Sequence, residues 1–558
     1  MLFPEDKRQL KTLVFEILSA CRGSQVARRS FYRNSWNWYM FGSNTSTQSK
    51  YNKVKPTIDR RTSFLYAPDQ TRFWATLPKD ESNAKQFHRI ESVTDCIEDH
   101  WAESGLDLLV NEGVRWAQVN GSMIGGIFAQ PRAPERDGTI VNSIVSYLIH
   151  PEHFGVLEEG VNELHRQEAL VMTTLLTEYE IKRKYRRHPR FKEFSFAQDA
   201  EQRAASGMVF VSSASASSAQ GFGSPSGGQQ FYYDPDTTVP RYNVHALYCW
   251  DDNRSDWRVF ECSDSEIIYD TPIDAVGVSG TLPFFLISPQ PLPFYIWGYS
   301  LVDSLAPVQE LYTTRMEQTN RLWEKILKPP KIIFGATQLP EEREASLNRP
   351  GGVNYFGQRA MTDMQELQPQ LPDSALTMLK EVGDIFVDLS GMRHSMLGRN
   401  EPGNRTEGML ANTLRVGASE VLRMSLTVER QVEEAATILW QYIRRYTTTR
   451  LPELDPQTGQ PTGEFFLPYD FPADVKIKVD GHSSSPIYVQ DHAQMVQSLF
   501  RMGAIDQKTA VRLIHPPQQG FIESKLEQIQ FAKTVSEYLA KMQQAQKRGG
   551  GGGNGQGK

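Results

Sequence analysis

IWGYSLVDSLAPVQELYTTRMEQTNRLWEKILKPP, residues 296–330, decides how the chain is organised. Leu301, Leu305, Val308, Tyr312, Met316, Leu322 and Ile326 fall mostly three or four apart, the period at which side chains share one face of an α-helix. The spacing predicts a helix over about 300–327, roughly 40 Å long at 1.5 Å per residue. Pro329 and Pro330 stop it abruptly, since proline has no N–H to donate and its ring collides with the preceding turn.

Downstream, PKIIFGA, a Pro-Gly-Gly turn and VNYFG mark 331–371 as a small, partly β module. Asp373 is the expected cap of a second helix, 374–390, which buries Leu376, Leu379, Val382, Phe386 and Leu389 and ends at Gly391. The loop GMRHSMLGRNEPGNR (391–405) leads to Thr406, the expected N-cap of a very long third helix reaching about Tyr446. A β-like segment (464–480) and a helical region (489–545) follow. The tail KRGGGGGNGQGK (547–558) reads as disordered on composition.

Upstream, 5–40 reads as a helix with Leu10, Leu13, Val14, Ile17 and Leu18 on its apolar face. Within it begins the basic, aromatic stretch RRSFYRNSWNWYMFG (28–42), and 51–66 is punctuated by Pro56 and Pro68. Residues 84–120 form a long helical candidate that Gly121, Gly125 and Gly126 end, opening a β-rich region to about Glu158. A helix is expected around 167–185. Ser, Ala and Gly dominate 204–230, which reads as a flexible insertion. Strand-like runs return at 241–250 and 257–269, joined by the turn-forming DDNRSD.

At 558 residues the chain has room for several domains. Hydrophobic content of 39%, with ten Trp and 28 Phe, excludes a largely disordered chain. The formal net charge of −6 is not that of a protein that grips nucleic acid tightly. Cys21, Cys96, Cys249 and Cys262 show no zinc spacing. Cys249 and Cys262 could meet across a hairpin, but reduced thiols are the reading taken. No apolar run approaches the roughly 20 residues that span a bilayer, and the N-terminus is unlike a signal peptide. A soluble, cytoplasmically made protein is expected.

Helix, Pro-bounded module, helix, Gly/Arg loop, long helix: this order resembles the stem, clip, stem, tunnel loop and kinked helix of tailed-bacteriophage portal proteins. The stretch 296–322 is similar to the family's G-x-S followed by an apolar helix with Gln and Asn, and 384–426 resembles its second stem helix, tunnel loop and long helix. SFYRNSWNWYMFG, NKVKPTIDRRTSFLY and SYLIHPEHFGVLEEG (146–160) are similar to its wing. The Ser/Gly-rich 204–230 lies outside the pattern.

The resemblance implies a mixed α+β, mainly helical fold in portal architecture. Its parts are an α/β wing region (1–297), a first stem helix (298–328), a small α/β clip (329–372) and a second stem helix (373–390). A tunnel loop (391–407), a long kinked helix returning to the wing (408–488), a helical crown (489–546) and a disordered tail (547–558) complete it. It further implies a cyclic homo-oligomeric ring, twelve-fold as is usual in the family, at one capsid vertex of the virion, assembled in the host cytoplasm. Double-stranded DNA passes through without sequence readout during packaging and ejection. The partners implied are the terminase large subunit, the head-to-tail adaptor, and the major capsid and scaffolding proteins, with no membrane. The clip residues Glu341, Glu342 and Arg343 are the expected terminase contact.

No catalytic residue, metal or cofactor is expected. GFGSPSGG (221–228) lacks the lysine of a phosphate-binding loop and opens no helix, so packaging energy would come from the separate terminase. No G-x-S-x-G elbow announces a hydrolase. His150 and His153 in HPEH, with Glu152, invite a metal reading but sit in an expected strand-to-loop turn; His245, His482 and His492 show no partner pattern. The 28–42 stretch could stack single-stranded nucleic acid. The reading preferred is that its aromatics pack a core while Arg28, Arg29 and Arg33 stay solvated.

Two readings of the loop stand side by side. Arg393, His394, Arg399 and Arg405 line the ring's lumen and touch phosphates transiently, or they are solvated and pair with Glu401 and Glu407. Lys325, Lys328 and Lys331 either line the channel or sit favourably at a helix C-terminus. Two rivals remain: another phage head-tail ring protein, which the length disfavours, and an uncharacterised helical enzyme, for which no motif speaks.

Overall fold

Thirty-five residues near the N-terminus form one helix, α1 (Lys7–Phe41), because apolar and small side chains recur at helical spacing along one face. Asp6 starts it by accepting the Arg8 N–H at 3.1 Å, and Gly42 ends it at φ +63°, a conformation glycine adopts without strain. The chain is described from a computed structural model at residues 1–44, 51–68, 71–77, 86, 89–131, 142–196, 241–329, 331–334, 350–356, 364–366, 373–391, 419–454, 461–473, 475–479, 496–503 and 510. It is a mixed α/β protein, with more helical than strand residues among those described.

α1 lies across a five-stranded antiparallel sheet ordered β4-β5-β6-β7-β8, formed by Phe154–Val156, Ala169–Thr177, Arg241–Asp251, Asp256–Cys262 and Ile267–Pro272. Val14, Ile17, Leu18 and Cys21 bury against Ala169, Val171, Leu247, Cys249, Phe260 and Cys262. The alternate residues Leu170, Tyr248 and Val259 face a second core with Ile124, Phe284, Ile296 and Trp297. That second core joins the sheet to a smaller one, β3-β2-β9, built from Asn142–Ile149, Met123–Pro131 and Phe284–Ile287. The five-stranded sheet is thus buried on both faces. All four cysteines are buried free thiols, and burial holds those of Cys21, Cys96 and Cys262 up at about 12.

Three expectations need correcting. The segment 167–185 is not one helix but strand β5 followed by the short helix α5 (Glu178–Tyr185). A strand buried on both faces reads as an unbroken apolar run, which periodicity alone does not separate from a helix. The 84–120 helix is two, α3 (Ile90–Glu103) and α4 (Leu106–Asn120), parted at Gly105 with φ +68°. The 257–269 run is split between β7 and β8 by a turn in which the Ser263 N–H donates to the Glu266 carbonyl at 2.9 Å. The proline-punctuated residues 51–66 contain a further helix, α2 (Val54–Leu65). Pro56 sits in its first turn, where a missing N–H costs nothing.

Two long helices and a small sheet follow in order: α6 (Leu301–Leu327), then β10, β11 and β12 (Lys331–Phe334, Val353–Phe356, Met364–Glu366), then α7 (Asp373–Leu389). β10 is the central strand, parallel to β11 and antiparallel to β12. The described part of the third long helix, α8 (Ser419–Tyr446), buries Val421, Met424, Val428, Val432, Leu439 and Ile443 and serves as an internal spine. The remaining strands are β1 (Phe73–Thr76) paired with β15 (Lys476–Val479), and β13 (Leu451–Leu454) with β14 (Pro461–Phe466). Residues 1–480 form one compact unit and 481–558 another; in the second, 496–501 is helical.

Candidate functional site

The G-x-S at 298–300 is where the body of the protein becomes the helix pair. The Gly298 N–H donates to Ser122 Oγ at 2.7 Å, and Ser288 Oγ donates to the Gly121 carbonyl at 3.2 Å. A Cβ built on Gly298 would lie 2.5 Å from the Gly121 oxygen and 2.8 Å from that of Gln290. Only glycine fits so close an approach of two backbones. Ser300 then caps α6: its Oγ accepts the Val302 N–H at 3.2 Å and donates to the Val119 carbonyl at 2.6 Å. Gln431 of α8 clamps the same knot, accepting from the Ser288 N–H at 2.9 Å and donating to its carbonyl at 3.0 Å.

Above this knot α6 changes character. Leu301, Val302 and Leu305 are buried with Tyr39, Val54, Ile58, Val119 and Phe386. From Val308 on, the stripe Val308, Tyr312, Met316, Leu322 and Ile326 is only half-buried, and Leu311, Trp323 (44% exposed) and Leu327 (75% exposed) face solvent. α7 runs back alongside it, with Phe386 edge-on to Tyr312 at 6.2 Å and the Lys53 ammonium 3.9 Å from the Tyr312 ring. On α7, Val382 and Phe386 are buried as expected, but Leu389 is exposed and Leu379 half-buried, a correction to the sequence reading. Met378 and Ile385 are exposed as well. Large apolar side chains are thus left exposed on both helices of the pair.

Of the lysines, Lys325 is half-buried in the last turn of α6 and Lys328 is its exposed C-cap residue. Both therefore sit where the helix carbonyls favour positive charge. Lys331 opens β10, its N–H donating to the Gly352 carbonyl at 2.9 Å. The Pro-Gly-Gly turn folds back onto the helix end, the Gly351 N–H donating to the Lys328 carbonyl at 2.8 Å. Arg393, His394, Arg399 and Arg405, and Glu341, Glu342 and Arg343, lie outside the described residues, as do the 204–230 segment, His482, His492 and 547–558.

HPEH is a structural turn. His150 is buried, its Nδ1 accepts the Glu152 N–H at 3.2 Å, and its Nε2 lies 3.1 Å from Asn120 Nδ2. Burial pushes its pKa down to about 3, so the ring is neutral and both nitrogens are occupied. His245 is buried as well, with Thr173 Oγ1 3.0 Å from its Nδ1 and Asp264 3.7 Å from its Nε2. The aromatics of 28–42 do pack a core: Trp36 stacks on Trp116 at 4.8 Å, and Tyr32 and Tyr39 are buried. The arginines are not all solvated, however. Arg28 lies over Trp297 at 4.2 Å and Tyr32 at 4.8 Å, and Arg29 reaches Glu152 at 3.4 Å. Arg33 is exposed.

One charged feature escapes a reading by periodicity. Residues 182–192, KRKYRRHPRFK, hold seven Lys or Arg in eleven positions. Hydrophobic spacing marks the run only as the end of a helix, although its charge density stands out against a net −6. In comparisons with known proteins, no family model and no curated protein matches the chain.

Proposed function

We propose that this chain is the ring subunit of a phage portal, through which double-stranded DNA enters and leaves the head. The observation that carries the reading is the pair α6 and α7. They are rooted in a glycine-serine knot, separated in sequence by a three-stranded sheet, and leave Leu311, Trp323, Leu327, Met378, Ile385 and Leu389 exposed. A lone chain gains nothing from such a surface, whereas neighbours in a cyclic ring would cover it with a heterologous, closing contact. On this reading α6 and α7 are the stem, the β10–β12 sheet belongs to the clip that meets terminase and then the adaptor, and the loop after Gly391 faces the DNA. The ring would work as a conduit, and nothing in its chemistry requires catalysis.

Negative-stain imaging of the purified chain tests this. Rings with a central hole are expected, and a variant carrying Trp323→Asp with Leu327→Asp should remain folded yet fail to close them. Monomers at every concentration, or rings unaffected by the double substitution, would overturn the assignment of these helices.

A further inference from the structure

The basic run at 182–192 is displayed by a rigid element. Thr177 and Glu180 form a capping box that starts α5: Thr177 Oγ1 accepts the Glu180 N–H at 3.3 Å, and Glu180 Oε2 accepts the Thr177 N–H at 2.8 Å. Ile181 and Tyr185 then bury against Val244 and Ile268, with Phe191, Phe194 and Phe196 packed beside them. The chain continues past α5 in tight turns. The His188 N–H donates to the Tyr185 carbonyl at 2.8 Å, and His188 Nδ1 accepts the Arg190 N–H at 3.2 Å. With the apolar and aromatic side chains turned inward, Lys182, Arg183, Lys184, Arg186, Arg187, Arg190 and Lys192 are all exposed. Lys182 pairs with Glu178 and Lys184 with Glu261, and the Glu180 carboxyl is held low by the Thr177 N–H first, with Arg241 and Arg183 adding to it. Arg186, Arg187, Arg190 and Lys192 make no ion pair among the described residues, and the acidic Glu193 beside them is exposed too.

We infer that this face, on α5 and the turns after it, binds the phosphate backbone of nucleic acid without reading its sequence. Seven exposed cations are concentrated on the end of α5 and the turns that follow it, against one phosphate charge per about 1.7 Å of duplex, so several contacts are possible at once. Arginine predominates, and its planar fork suits phosphate oxygens better than lysine does. A lipid surface fits less well. Membrane-surface helices set an apolar face opposite the basic one, and here that face is spent on the sheet, leaving only Tyr179 exposed. The inference rests on the cations alone and does not require the ring.

The test uses the full chain and a covalently closed circular plasmid, which cannot thread a central channel, in two unrelated sequences. Binding is measured over a salt series, with phosphatidylserine vesicles in parallel. Wild type should bind both plasmids alike and the vesicles weakly. Replacing Arg183, Arg186, Arg187 and Arg190 by alanine should make the log–log salt slope shallower by roughly 3 to 4, at about 0.9 per lost contact, and weaken binding roughly 100-fold or more. The matching four-lysine variant should keep most of the slope, and unchanged circular dichroism would show that both fold. No plasmid binding by wild type, an unchanged slope in the alanine variant, or binding to vesicles alone would each overturn the inference. Particle size, measured on the same samples, reports ring formation separately, so loss of one reading is distinguishable from loss of the other.

Discussion

Replacing Gly298 by alanine should be among the most damaging single-methyl changes in the protein. The new Cβ would stand 2.0 Å from Ser288 Oγ, 2.5 Å from the Gly121 oxygen and 2.8 Å from the Gln290 oxygen. The serine hydroxyl can rotate away, at the cost of its bond to Gly121, about 1 kcal/mol. The two carbonyls belong to the backbone and cannot, so overpacking adds about 1–3 kcal/mol. Alanine's smaller unfolded-state entropy returns roughly 0.4–1 kcal/mol. The net loss is about 1–3.5 kcal/mol, read as a lowered urea midpoint by tryptophan fluorescence, with buried Trp297 next in sequence as a local reporter. Gly160→Ala, where nothing lies within 4 Å, is the control and should stay within about 0.5 kcal/mol. If Gly298→Ala were as mild as that control, the close approach described for the knot would be wrong.

His150 is held neutral by burial with a folded pKa of about 3, below the usual 6.5 or so. The unfolded chain therefore binds more protons between those values, and stability present above pH 6.5 is lost as pH falls, by about 2 kcal/mol at pH 5. His150→Gln should flatten the change in urea midpoint between pH 7 and pH 5; an undiminished change would acquit this histidine. Gly23 is exposed inside α1, with nothing within 4 Å of where an added methyl group would stand. Its replacement by alanine should stabilise the chain by about 0.5–1 kcal/mol, and a lowered midpoint would refute this. Arg61 is 1% exposed, touches the Met424 thioether and makes no ion pair among the described residues, and burial lowers its pKa to about 10. Arg61→Met should leave stability unchanged or raise it by about 2 kcal/mol, and a loss above about 1 kcal/mol would mean the cation has a partner role.

What the sequence discloses is governed by exposure. α1, α6 and α7 are legible because each keeps one face in water, so the 3.6-residue rhythm survives. β5 is not, because Ala169 and Val171 bury on one face and Leu170 on the other, erasing the alternation that marks a half-exposed strand. The break at Gly105 hides inside a helical pattern that a lone glycine does not interrupt on paper. At the knot, the motif G-x-S is visible in the sequence, yet its reason lies in Gly121, Ser122 and Gln431, which are remote along the chain. Arg28 misleads likewise: its partner Trp297 can be found only by folding.

The bond pair between Ser288 and Gln431 spans 143 residues. At about 5–20 residues per second, a ribosome needs roughly 7–30 s to make that stretch. During this interval β9 and the root of α6 exist without α8, and Phe284, Phe285 and Ile287, buried in the finished protein, have an incomplete shelter. The nascent chain therefore has a timed window of vulnerability, which chaperone capture would protect and slow translation would lengthen. A long-range clamp that fixes the finished molecule thus also sets its schedule of birth.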